Sequence, residues 1–283
     1  MATGEQMELA MAELGLGRTL LELQPCRYGY SRIQFRGPEA DLDAPYIAFL
    51  GATETVGPFL TRPFPALVAD KLGFECANLG VKNAGPDVFL NDPEILRVAR
   101  GAAAVVIEVM GASNLSNAFY KVHPRRNDRF IKAHLPLLSR APDLDLTEVH
   151  FTGHLMQKIA VHAPELIDDV VAELRATWVE RMQALVRAVD KPVHLLRFVD
   201  GPGAPPTAAL VEPMMTAAVA SKAVSITRVR PSQAATDSGM SEMFFAAPEA
   251  PVAARMLSAE AHREVAEALA LSVGGHMKKA RAG

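Results

Sequence analysis

Hydrophobic positions along this chain follow two rhythms. Short runs that are apolar almost without interruption, at residues 46–50, 74–79, 104–110, 193–199 and 223–229, alternate with longer segments whose apolar residues recur every three to four positions. The runs read as strands buried on both faces and the segments as amphipathic helices. Alternation of the two predicts a three-layer α/β/α sandwich around a mostly parallel five-stranded sheet, joined by right-handed crossovers. Helix signals sharpen the pattern: Pro63 opens a helix over 63–72, Asp92 caps one ahead of Pro93 over 92–100, and Pro164 opens a long one over 163–189. Ser258 caps a closing helix with an apolar face of Ala261, Val265, Ala268 and Leu269. Residues 1–43 are expected to pack on the core as an amphipathic helix (Met7, Leu9, Met11, Leu14) and an edge strand near 28–35. The main α/β domain then spans 44–275. Its stretch 111–192 is longer than one crossover requires, which predicts a helical insertion after the third strand, with a basic lid at about 115–165.

Composition narrows the function classes. A chain of 283 residues that is 49% hydrophobic can fill a large core, and its net charge of −3 gives no electrostatic case for nucleic acid. No apolar run approaches the roughly 20 residues of a membrane span, and the start lacks a secretory pattern, so a cytoplasmic location is expected. Cys26 and Cys76 read as independent buried thiols. There is no P-loop, no zinc-type cysteine spacing and no other cofactor motif. His150 and His154 lie four apart, as helical metal ligands do, but spacing supplies no third ligand and no metal is expected. Homo-oligomerisation is left open.

Three of the strands run into polar turns that contain glycine. After the first comes Gly51-Ala-Thr-Glu-Thr-Val-Gly57, which projects Thr53, Glu54 and Thr55. Asn78-Leu-Gly-Val-Lys-Asn-Ala-Gly-Pro-Asp87 follows the second, and Val109-Met-Gly-Ala-Ser-Asn114 the third. A doubly wound parallel sheet brings consecutive carboxyl ends to one side, so these turns should meet in a pocket.

The first block resembles the Gly-Asp-Ser opening of the SGNH hydrolases, a lipase and esterase family, with Ala52 at the Asp and Thr53 at the nucleophilic Ser. The resemblance implies the flavodoxin-like fold of that family. It implies Thr53 as the hydroxyl centre, Asn114 as an oxyanion donor, and a backbone amide at Gly80 or Gly85 as another, with Asn83 and Ser113 beside them. Leu257-Ser-Ala-Glu-Ala-His262 is similar to the family's closing helix, but Met256 and Ala253 occupy the positions of its His and Asp. The base must then come from Glu54 or from one of the imidazoles His123, His150, His154 and His262, or hydrolysis is lost. The turns, together with His123-Pro-Arg-Arg-Asn-Asp-Arg-Phe130, also resemble an uncharacterised bacterial family whose members are often labelled capsular-polysaccharide-synthesis-like.

Within Phe119–Phe130, Lys121, His123, Arg125, Arg126 and Arg129 accompany Tyr120. Guanidinium forks suit carboxylate, phosphate or sulfate, and a tyrosine suits a sugar face. Three functions follow as expectations. One is action on an acylated or acylatable sugar or a related small anionic substrate, in surface-polysaccharide metabolism. A second is a catalytically silent binding or assembly module that keeps the pocket, and the third is group transfer from an anionic donor.

Overall fold

A computed structural model describes residues 21–199 and 210–282, with side chains in the last helix up to Met277. The predicted helix over residues 7–14 lies outside the described residues. Strands β1 (Tyr46–Leu50), β2 (Glu75–Asn78) and β3 (Ala104–Glu108) are followed by a hairpin, β4 (Tyr120–His123) and β5 (Arg126–Ala133). β6 (Val193–Phe198) and β7 (Ser225–Val229) complete the sheet. The main sheet has the order β2-β1-β3-β6-β7 with every pairing parallel, which is the doubly wound flavodoxin-like order.

The runs form strands because both of their faces are covered. Ala48, Leu50, Val105 and Ile107 point into one core with Trp178 and Leu174 of the long helix Ile167–Val189. Ile47, Phe49, Ala104 and Val106 point into the other, against Phe64 and Val68 of the helix Phe64–Leu72 and Val265 and Leu269 of the closing helix Ala259–Ala282. Two cores with one sheet between them make the three layers. Asp92 accepts from the amides of Glu94 and Ile95 at the start of the helix Pro93–Gly101, and the Ser258 hydroxyl accepts from Ala261 N, as the sequence predicts. Among the described residues, no helix is long and apolar enough to cross a membrane.

Two expectations need correction. The stretch 28–35 forms no edge strand: it is tied down by a single antiparallel bridge, Cys26 to Phe35, although Ser31, Ile33 and Phe35 are buried in alternation. The insertion after β3 does not begin as a helix either. Its basic run is the antiparallel hairpin β4–β5, because buried Tyr120 and Val122 alternate with outward Lys121 and leave His123–Arg126 as the turn. Helices Leu135–Arg140 and Thr152–His162 follow it.

Candidate functional site

The three strand-end turns meet, and asparagine side chains bind them together. The Thr53 hydroxyl accepts from the Asn83 amide at 3.0 Å and donates to the Asn83 side-chain oxygen at 3.3 Å. Asn114 Nδ2 donates to the Asn83 carbonyl at 2.9 Å, and the Thr152 hydroxyl donates to Asn114 Oδ1 at 2.7 Å. Asn83 therefore joins the turns after β1, β2 and β3. Its backbone sits at φ 55°, a left-handed conformation that asparagine tolerates better than most residues. The turn after β1 is held from below by Glu108 at the end of β3. One of its oxygens accepts from Ala52 N (2.9 Å), Thr55 N (3.2 Å) and the Thr55 hydroxyl (2.6 Å). Gly51 leaves the room for this, since a Cβ there would lie 2.0 Å from Thr55 Oγ1 and 2.5 Å from Glu108 Oε2.

Both backbone donors that an oxyanion would need are already engaged. Gly80 N donates to Asn78 Oδ1 and Gly85 N to Asn127 Oδ1, each at 3.0 Å, while one of the two N–H groups of the Asn114 amide is held by the Asn83 carbonyl. Ser113 contributes its carbonyl, which accepts from the Tyr120 hydroxyl at 2.9 Å. Tyr120 is fully buried there, so its ring is not a platform for a sugar.

Nor do the candidate bases reach Thr53. Glu54 turns away from it into the core, where its carboxylate accepts from Leu257 N at 3.2 Å and lies 3.6 Å from His262 Nε2. His262 Nδ1 accepts from Phe64 N at 3.0 Å, which fixes the proton of the neutral ring on Nε2, facing Glu54. Burial raises the Glu54 pKa to about 8 and, with the Arg36 guanidinium nearby, lowers that of His262 to about 3. Glu108 rises to about 7, again through burial, against the pull of its hydrogen bonds. At neutral pH this is a largely uncharged, buried tie between the first turn and the closing helix. His123 is likewise occupied, its Nδ1 accepting from Arg125 N (3.1 Å) and Arg126 N (3.2 Å) to shape the hairpin turn. His150 precedes the helix that contains His154, so the two do not share a helical face. Among the described residues, no group of three or more His, Cys, Asp or Glu is placed to hold a metal ion.

Beside Asn83 opens a cavity of about 880 Å³, walled by residues 23–36, the Gly80–Asn83 turn and the β4–β5 hairpin. Arg125, Arg126 and His123 of the basic run line it, although Thr53 and Asn114 do not. Arg129 of β5, from the same basic run, lines it too, whereas sequence reasoning missed the rest of its charge: Arg27, Arg32 and Arg36 come from the N-terminal segment and Lys82 from the second turn. Asp128 is the single carboxylate of that wall, and it accepts from Asn83 Nδ2 at 3.1 Å. Arg36 is buried with its guanidinium on the carbonyls of Val56, Gly57, Leu60 and Thr61, and burial lowers its pKa to about 10. Arg129 lies over the Phe151 ring at 4.2 Å. Among the described residues, Arg27, Arg32, Lys82, Arg125 and Arg126 form no ion pair.

Fold and site together define an α/β protein with an all-parallel main sheet, a polar node at its strand ends and a cationic cavity next to it. The chain belongs to the family described as Domain of unknown function (DUF6473), whose model matches residues 11–277. No curated protein matches it. Among solved structures it is similar to the lipase Lip_vut3 from a goat rumen metagenome, at 12% identity and a TM-score of 0.41, covering 82% of this chain and 98% of that one. It is also similar to a catalytic mutant of an acetylxylan esterase from Geobacillus stearothermophilus, at 12% identity and a TM-score of 0.40, covering 82% and 94%.

Proposed function

We propose that this protein binds a small anionic ligand of the acidic-sugar kind in the cavity between the N-terminal segment and the hairpin. The observation that carries the reading is the charge of the wall, which is lined by seven arginine and lysine residues and one carboxylate. Such a concentration of like charge is unfavourable in the empty protein, and an anion relieves it; forked guanidinium groups suit carboxylate, phosphate and sulfate alike. The Thr53–Asn83–Asn114 node serves in this reading as the frame that fixes the cavity floor. Thr53 gives its proton to an amide oxygen, which is not a base, and general-base assistance is commonly worth about 10²–10⁴-fold in rate. The setting we favour is surface-polysaccharide metabolism, where acidic sugars and their donors are the available anions. Calorimetric titration with glucuronic acid tests the reading: Arg126→Ala should weaken binding about tenfold, and an unchanged affinity counts against it.

A second reading is acyl-ester hydrolysis or acyl transfer on an acylated sugar, with Thr53 as the hydroxyl centre. One observation favours it: Thr53, Asn83 and Asn114 meet at the carboxyl ends of β1, β2 and β3, where parallel sheets assemble active sites. Turnover of short-chain esters that disappears in Thr53→Ala would select this reading over silent binding. Transfer of a group from an anionic donor would instead require the donor to be consumed in the presence of an acceptor sugar.

A further inference from the structure

We propose that the cationic cavity continues into the pocket beside it, forming one groove for an acidic oligosaccharide with Tyr30 as the platform for its neutral unit. The proposal rests on the anionic-ligand reading above and adds the length and pattern of the ligand. Arg32 and Arg125 line both the 880 Å³ cavity and a second pocket of about 350 Å³, so the two adjoin at these side chains. The second pocket has a different character. Asp92 and Glu94 on its wall offset Arg32 and Arg125, so it offers no net attraction to an anion.

Its other features suit a neutral, hydroxylated ring. Tyr30, also on that wall, is 95% exposed, the most open large hydrophobic side chain among the described residues. An aromatic ring so placed gains by covering its face, and the C–H face of a sugar is flat, apolar and bordered by hydroxyls. Asn91 stands beside it with a side-chain amide that makes no hydrogen bond among the described residues, and it offers both a donor and an acceptor to those hydroxyls. Asp92 and Glu94 are held in place, Asp92 by its helix cap and by Ser31 at 2.7 Å, Glu94 by Arg97 at 2.8 Å. A charged pocket adjoining a neutral one matches a chain whose charged and neutral sugars alternate.

Hyaluronan fragments alternate a uronic acid with a neutral amino sugar and serve as probes, with glucuronic acid as the monomer. Calorimetric titration of the full chain should show the tetrasaccharide binding more tightly than the monomer. Tyr30→Ala should weaken the tetrasaccharide about fivefold, the size of one lost aromatic contact, leave the monomer unchanged, and be rescued by Tyr30→Phe. Equal affinities for monomer and tetrasaccharide, or a Tyr30→Ala effect of the same size on both, would overturn the continuous groove while leaving the cavity reading intact. Monomer binding that survives Arg126→Ala undiminished would instead overturn the cavity reading itself.

Discussion

Glu54→Gln should change the pH dependence of stability in one particular window. Burial raises the pKa of Glu54 from 4.5 to about 8 and of Glu108 from 4.5 to about 7, and it lowers that of His262 from 6.5 to about 3 and of His194 from 6.5 to about 4. Between pH 4.5 and 6.5 the native state keeps two carboxyl protons that the unfolded chain has released, so stability falls as pH rises. Over the same range the unfolded chain holds two imidazolium protons that the native state refuses, so stability rises, and the two effects largely cancel. Above pH 6.5 the histidines are neutral in both states and only the carboxyl groups remain. Each costs about 1.4 kcal/mol per pH unit until its native pKa is passed, so Glu54 alone removes about 2 kcal/mol between pH 6.5 and 8. Glutamine mimics the protonated acid. Urea unfolding followed by Trp178, the single and fully buried tryptophan, measures the effect. Glu54→Gln should match the wild type only below about pH 4.5, where Glu54 is protonated in both states, and its margin over the wild type should widen by a further ~2 kcal/mol between pH 6 and 8. Wild-type and variant curves that run parallel from pH 6 to 8 would refute a neutral buried Glu54.

Other substitutions test the frame around the site. Gly51→Ala pushes a methyl group against Thr55 and Glu108 and should cost about 2–3 kcal/mol, seen as a lower urea midpoint with an unchanged slope. Asn83→Ala removes the side-chain bonds to Thr53 and Asp128 and should cost about 1–2 kcal/mol by the same assay. Asp92→Ala strips the cap of the helix Pro93–Gly101 and the bond to Ser31, for about 1–2 kcal/mol.

Much of the fold was legible because its signals are local. The runs at β1 and β3 are continuous in sequence because helices cover both sides of the sheet, and Asp92 and Ser258 cap the helices that follow them. The meeting of Thr53, Asn83 and Asn114 was also legible, since parallel order obliges successive strand ends to converge. Side-chain direction was not. Glu54 stands next to Thr53 in the chain, yet the helical turn Thr53–Val56 sends its carboxylate to Leu257 and His262, over two hundred positions away. The hairpin hid behind its charges: the period-two burial of Tyr120 and Val122 covers too few residues to outweigh the arginines around the turn. Arg27, Arg32 and Arg36 could not be assigned to the site from sequence, because nothing local says that residues 23–36 line the same cavity as the hairpin. Glu108 did leave a trace, as an acid inside the apolar run 104–110, where a buried carboxylate needs donors.

The account turns on where an anion sits. A crystal structure of the protein with glucuronic acid should place the carboxylate within hydrogen-bond reach, about 3 Å, of an Arg125 or Arg126 guanidinium, with the sugar above the Gly80–Asn83 turn. A ligand bound elsewhere, with the cationic cavity filled only by solvent, would contradict it.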